Sequence, residues 1–223
     1  MHSSRAKGTG KAEPHEGDTE GRVLNYEKVL GRILTLSDGV FAIAILLLLL
    51  DIKLPAGTST TELAAALRSL WPNHLAFFIS FVVIGLYWTA HVRTFREIVR
   101  YDWGLMWLNL LYLFFIVIIP FSTSVLATHF VKLSVVIYAA TIAAGGYANT
   151  IVRIYSGRGH RLISSMFGDI YVRNRIRLSL IAPIGFTVSI GIAFVNPFAA
   201  QYFWIAMLIV HIVYQRRLGP QER

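Results

Sequence analysis

The chain has 223 residues, 55% of them apolar and only 15% charged, whereas a soluble domain of this size carries about one quarter charged residues. Its formal net charge of +9 does not describe a nucleic-acid surface, because the arginines flank long uncharged tracts and so orient a membrane protein. Cysteine is absent, which excludes disulfides, thiolate chemistry and cysteine-ligated metals.

The first 30 residues contain Gly, Ser, Thr, His and mixed charges with no apolar core segment. They are expected to form a disordered cytoplasmic tail and not a cleaved signal peptide. From residue 31 to 215 the chain reads as one all-α, polytopic membrane domain, followed by a short cytoplasmic tail at 216–223. Uncharged tracts run over 74–90, 103–130, 133–152 and 178–215, each long enough to cross a hydrocarbon core of about 30 Å.

Six spans are expected, near 33–53, 73–93, 104–128, 132–153, 176–196 and 198–215. The last two share one uncharged tract of about 57 Å if helical throughout, too long for a single crossing. Asn196-Pro197 lies at its middle, where proline removes a donor and restricts the residue before it. Pro120 and Pro183 fall inside spans, which membrane helices tolerate when neighbours satisfy the freed carbonyls.

Lysine and arginine are distributed very unevenly. Eighteen lie in the N-terminal tail, the 93–100 region, the 153–177 region and the C-terminus, and only Lys53, Arg68 and Lys132 lie on the alternate connections. This bias places both termini in the cytoplasm, in keeping with an even number of spans. The 55–71 connection lies on the opposite side. It is either a short amphipathic helix capped by Thr61, with Leu63, Leu67 and Leu70 on one face, or a solvated connector. The 153–177 loop is arginine-rich and expected at the lipid headgroups.

The first span carries the most informative residues. Gly39 to Leu50 are twelve residues without a polar side chain, yet Asp38 stands immediately before them, and a carboxylate inside a span costs about 2.5–3.5 kcal/mol on insertion scales. At about 100° per residue, Ile43, Leu46 or Leu47, and Leu50 share a face, and Asp38 lies about 140° from Ile43. If that face lines a passage, Asp38 points sideways into protein, toward an arginine, serine or histidine of another span. Interior polar candidates are Trp88 and His91, Asn109 and Tyr112, and Asn149. Gly145-Gly146 marks close helix packing.

No enzyme is indicated. Ser37-Asp38 lacks a base and an oxyanion arrangement, the histidines do not pair along any span, and no nucleotide-binding or metal-binding motif is present. No cofactor or metal is expected.

Arg32-x-x-x-Leu36-Ser37-Asp38-Gly39-Val40-Phe41-Ala42-Ile43-Ala44 resembles the RxxxFSDGVFAIA segment of the transmembrane-175 family, whose eukaryotic members are lysosomal potassium channels. Gly85 to His91, Asn109 to Leu111 and Pro120 to Ser122 are similar to further family segments. The resemblance implies a homotetramer conducting potassium, and other monovalent cations to a degree the sequence leaves open, down its gradient across the inner (plasma) membrane. It also implies a central pore lined by the first helix without a carbonyl filter, with no TVGYG segment. Its constriction would be formed by Ile43, Leu46 and Leu50, with Ile43 the principal ring, while Arg32, Ser37, Asp38, His91 and Asn109 form a structural network.

Leu36 replaces the family's usual phenylalanine, and Leu46 stands where threonine is common. Leucine offers a passing ion neither donor nor acceptor, so the constriction is longer and drier and suited to gating by dewetting. Two other functions remain open on sequence grounds: a proton-coupled carrier using Asp38 and His91, against which no inverted repeat is evident, and a non-conducting scaffold.

Overall fold

A computed structural model of the protein describes the backbone of residues 16–50 and 71–218 and the side chains of 26–50 and 75–210. These residues form six helices: α1 (Glu16–Leu50), α2 (Trp71–Glu97), α3 (Trp103–Thr128), α4 (Lys132–Gly157), α5 (Asp169–Val195) and α6 (Pro197–Leu218), with a 3-10 turn at Arg158–His160 after α4. Among the described residues, five helices are long and apolar enough to cross a membrane, and the apolar Pro197–Val210 stretch of α6 is shorter. Each expected span maps onto one helix. The 51–70 connection, including Thr61, lies outside the described residues, as do residues 1–15 and 219–223.

The helices follow one another up and down, and sequence neighbours pack together. α4 packs between α3 and α5, α1 lies against α2 and α3, and α6 covers α5. The central α4 is the most buried of these helices, at 61% of its apolar stretch, against 28% for α1 and 22% for α5. The main core joins Phe41, Ala44 and Leu48 of α1 to Ile84, Tyr112, Ile116, Tyr138, Ile142, Phe186 and Trp204.

α4 earns its central place through small residues. A Cβ added at Gly146 would lie 2.9 Å from Pro183 Cβ and 3.0 Å from the Tyr87 hydroxyl, and one at Gly145 would lie 3.2 Å from the Tyr87 ring. The two glycines therefore let α2 and α5 approach the α4 backbone. Pro183 sits inside a continuous α5 and removes the donor that would reach the Ser179 carbonyl. Thr150 Oγ1 of α4 lies 3.2 Å from that carbonyl and 2.9 Å from the Gly146 carbonyl of its own helix, so its one proton is shared between them at the helix crossing.

The reversal at Asn196-Pro197 is built as the sequence indicates. Asn196 ends α5, and its side-chain oxygen accepts from the Phe198 N–H at 2.9 Å and the Ala199 N–H at 3.3 Å. It thereby N-caps α6, with Pro197 at the first helical position, where its missing N–H costs nothing.

One feature differs from the sequence expectation. α1 begins at Glu16, so residues 16–30, assigned to a disordered tail, are helical. Tyr26, Val29, Leu30 and Ile33 recur at helical spacing on one face. Val29 and Leu30 pack against a second cluster built on Ile33, Phe95, Ile98, Leu105, Val152, Leu162 and Ile163, and Tyr26 meets Tyr101 edge-on. A stripe this short is not an apolar segment, and only its partners reveal it.

The loop after α4, expected at the lipid headgroups, is held to the end of α2. Ile163 bridges to Ile98, Leu162 O accepts from the Val99 and Arg100 N–H groups, and the Ser164 N–H donates to Glu97 O. Leu162 and Ile163 are buried, which anchors the loop to the end of α2.

Candidate functional site

α1 divides lengthwise. Ser37, Phe41, Ala44 and Leu48 are buried on α2 and α3, whereas Ile43, Leu46 and Leu50 are exposed by 57%, 54% and 61% in the single chain. The helix is apolar all round over this stretch but covered on one stripe only, so its opposite face is left for lipid, another copy or an ion path. Arg32 is also exposed. It precedes Ile43 by eleven residues, three turns and about 20°, and so falls on that open face at the arginine-rich end of the bundle.

Behind the open face runs a polar seam. His91 Nε2 meets Asn109 Oδ1 at 2.9 Å, Asn109 Nδ2 donates to Ser37 Oγ at 3.1 Å, and the Ser37 hydroxyl donates to the Ile33 carbonyl at 2.8 Å. Because Asn109 presents its oxygen to the imidazole, Nε2 carries the proton. The seam thus runs in one direction, each group donating once toward the α1 backbone. All three side chains are buried. Phe95 and Tyr112 stack on the His91 ring, with centroids at 4.4 and 5.7 Å, and Phe41 leans on it at 5.7 Å. Nδ1 of His91 is buried without a hydrogen-bond partner among the described residues.

Asp38 is one residue from Ser37 and therefore faces about 100° away. In the single chain it is exposed, and its carboxylate accepts from the indole N–H of Trp88 at 2.8 Å. The sequence placed Trp88 among the interior candidates but sought the partner of Asp38 among arginine, serine and histidine. Arg32 forms no ion pair with Asp38. Of the five motif residues, the structure joins Ser37, His91 and Asn109 directly, places Asp38 on Trp88 beside them, and leaves Arg32 apart on the open face.

A second buried triad braces α2, α3 and α4: Ser80 Oγ lies 2.8 Å from Thr123 Oγ1 and 3.0 Å from the Tyr138 hydroxyl. Nearby, Tyr112 donates to the Tyr87 carbonyl at 3.0 Å and Tyr87 to the Ile142 carbonyl at 2.6 Å. Tyr112 was among the interior candidates, but Ser80, Tyr87, Thr123 and Tyr138 are dispersed in sequence and carry no motif, so hydropathy alone could not find them.

The arginine-rich end holds a buried ionic cluster that sequence reasoning also missed. Glu97 faces Arg153 at 3.4 Å and Arg175 at 3.8 Å and accepts from the Tyr171 hydroxyl at 3.0 Å, while Arg153 donates to Thr94 at 2.6 Å. The signal was a lone acid, Glu97, inside an arginine-rich segment. Asp102 N-caps α3 by accepting from the Leu105 N–H, and takes the Tyr155 hydroxyl, both at 2.8 Å, with Arg161 paired to it. Partial burial acts against its charged form, but these donors and the arginine together hold the carboxyl below its ordinary range.

The bundle, the open apolar face of α1 and the polar seam behind it define a polytopic α-helical membrane protein whose first helix is braced from one side only. Residues 32–120 match the model of the family described as endosomal/lysosomal potassium channel TMEM175. A potassium channel of Streptomyces collinus is 35% identical over 172 residues, 74% of this chain and 83% of that protein. Another, of Chamaesiphon minutus, is 40% identical over 126 residues, 56% of this chain and 60% of that one. The crystal structure of a lysosomal potassium-selective channel TMEM175 homologue from Chamaesiphon minutus superposes with a TM-score of 0.74 at 27% identity, covering 84% of this chain and 98% of that one. The chain belongs to the TMEM175 potassium channel family.

Proposed function

We propose that the protein is a potassium-permeable channel of the plasma membrane, with both termini cytoplasmic, assembled as a homotetramer around α1. The observation that carries this reading is the division of α1: one stripe buried on α2 and α3, and Ile43, Leu46 and Leu50 left uncovered on the other side. In a tetramer those residues face the axis and form successive apolar rings, with Ile43 the principal one. The chain's likeness to proteins named as potassium channels supplies the ion.

The mechanism follows from the chemistry of the face. Isoleucine and leucine coordinate nothing, so an ion crosses these rings with part of its water, and conduction depends on whether the constriction is wide enough to stay wet. Leu46 makes the passage drier than a hydroxyl would. The Ser37–Asn109–His91 seam and the Asp38–Trp88 bond hold α1 at a set rotation, which decides the residues that meet the axis.

Reconstituted protein under opposed potassium and sodium gradients tests the reading. A current whose reversal potential follows the potassium gradient is expected. Folded protein that passes no cation current over a range of voltage and pH, or that accumulates substrate uphill on a proton gradient, would overturn it.

A further inference from the structure

Between Arg93 and Arg177 the chain carries nine arginines and three carboxylates, and every one of those carboxylates is already engaged within the fold. Glu97 takes Arg153 and Arg175, Asp102 takes Arg161, and Asp169 takes His160 at 2.8 Å. Arg96, Arg100, Arg158, Arg173 and Arg177 are exposed, and none is paired with a carboxylate among the described residues. Glu97 is turned inward and Asp102 half-buried, whereas Asp169 is 84% exposed on the same face of α5, one turn before Arg173, and is held by His160. With those five exposed arginines against that one exposed acid, the arginine-rich end still presents net positive charge outward.

Two of these arginines form a geometric unit. Arg173 and Arg177 are four residues apart on α5 and share one face, with exposed Asn174 beside them. Arg175, between them in sequence, points the other way, to Glu97 and Tyr171. The uncharged tract of the span begins at Leu178, which puts both guanidinium groups where hydrocarbon gives way to headgroups. Ile170, one turn earlier on the same face, is 72% exposed, an apolar side chain suited to a lipid boundary more than to open water. Guanidinium groups match phosphate oxygens in geometry as well as charge, and Asn174 adds amide donors.

We propose that Arg173, Asn174 and Arg177, on the outward face of the first turns of α5, bind the phosphate of an anionic phospholipid in the leaflet at the arginine-rich end. The site discriminates by net charge, since a zwitterionic lipid brings its own cation to the phosphate and leaves the two guanidinium groups uncompensated. It does not depend on which ion the protein conducts.

The test titrates the full chain in neutral detergent with phosphatidylglycerol or phosphatidylcholine, reading bound lipid by native mass spectrometry and the unfolding midpoint in parallel. Wild type is expected to retain phosphatidylglycerol preferentially and to gain thermal stability from it. An arginine near an anionic surface contributes about a fivefold preference, so R173Q/R177Q should lose retention by about tenfold or more and lose the stability gain. R173K/R177K should keep most of both, and R158Q, on the 3-10 turn after α4 and outside the α5 face, should behave as wild type. If the double variant does not fold, R173Q and R177Q singly should each show a partial loss. Equal retention of the two lipids by wild type, undiminished phosphatidylglycerol retention in the glutamine variants, or an equal loss in R158Q would overturn the proposal.

Discussion

The indole N–H of Trp88 donates to the carboxylate of Asp38 at 2.8 Å, and this bond ties the one acidic side chain within the described apolar length of α1 to the neighbouring helix α2. Both side chains are exposed in the single chain, so removing the donor forfeits the net contribution of one hydrogen bond, about 1 kcal/mol, and not the penalty of stranding a buried group. Trp88→Phe is therefore expected to lower stability by about that amount in a membrane-mimetic unfolding assay. Asp38→Asn, which keeps an acceptor, should cost less. An unchanged unfolding midpoint in Trp88→Phe would show that the bond contributes nothing.

Asn109 bridges His91 and Ser37, so its loss strands two buried groups at once. Asn109→Ala should destabilise by about 2–4 kcal/mol, combining an unsatisfied pair with a small cavity. Ser37→Ala should cost less, about 1–3 kcal/mol, because it strands only the Asn109 amide N–H while the serine's own donation goes to a carbonyl of its own helix. A double-mutant cycle measures the coupling: near-additive losses would mean that the seam does not act as a unit.

Leu46 lies on the uncovered face of α1. If that face lines the ion path, Leu46→Thr introduces a hydroxyl that holds water in the constriction. Single-channel conductance in planar bilayers should rise severalfold without loss of folded protein. Ile43→Ser should raise conductance further and weaken potassium-over-sodium selectivity. Wild-type currents in both variants would remove these residues from the pore.

Gly146 lies against Pro183 and Tyr87 with no room for a Cβ. Gly146→Ala is expected to destabilise by about 1–3 kcal/mol through overpacking. Gly191→Ala is the matched control, since nothing lies within 4 Å of a Cβ there, and it should be neutral or stabilising by up to about 1 kcal/mol from helix propensity. Thermal unfolding of the two variants in the same detergent makes the comparison.

Asp102 has its carboxyl held below the ordinary range by Leu105, Tyr155 and Arg161 against the opposing effect of partial burial. A folded-state value below the unfolded one stabilises the fold fully above the unfolded carboxylate pKa of about 3.9, and that stability is lost as pH falls through the folded value. Amide exchange at the start of α3 should therefore accelerate as pH is lowered below about 4, after correction for intrinsic rates. Asp102→Asn should exchange faster at neutral pH and lose the acid-dependent step. Identical corrected profiles for the two proteins would refute this account.

The spans were legible because hydrocarbon imposes its thickness on the sequence: uncharged tracts between arginine clusters became helices, and Asn196-Pro197 became the turn within the longest of them. The cap at Asn196 and the close approach at Gly145-Gly146 followed from residue chemistry that acts locally. The α1 extension from Glu16 was not legible, since Tyr26, Val29, Leu30 and Ile33 make a short stripe whose partners are contributed from α2, α3, α4 and the following loop. The Ser80–Thr123–Tyr138 triad was hidden for a related reason: three ordinary polar residues on three helices acquire meaning only when packing brings them together.

The sequence by itself determined that this chain forms membrane-crossing helices, that Asn196-Pro197 separates the last two, and that Ser37 and Asp38 sit in the first. Those properties follow from transfer free energies and local backbone preferences, which need no partner. Tertiary structure alone decided orientation about each helix axis. The α1 segment after Asp38 is apolar on every side, so its composition selects no face, and packing on α2 and α3 chose to bury Phe41, Ala44 and Leu48 and leave Ile43, Leu46 and Leu50 open. The same holds for three arginines alike in sequence: Arg175 turns inward to Glu97 while Arg173 and Arg177 remain outside, because a buried charge is stable only where the fold supplies its opposite.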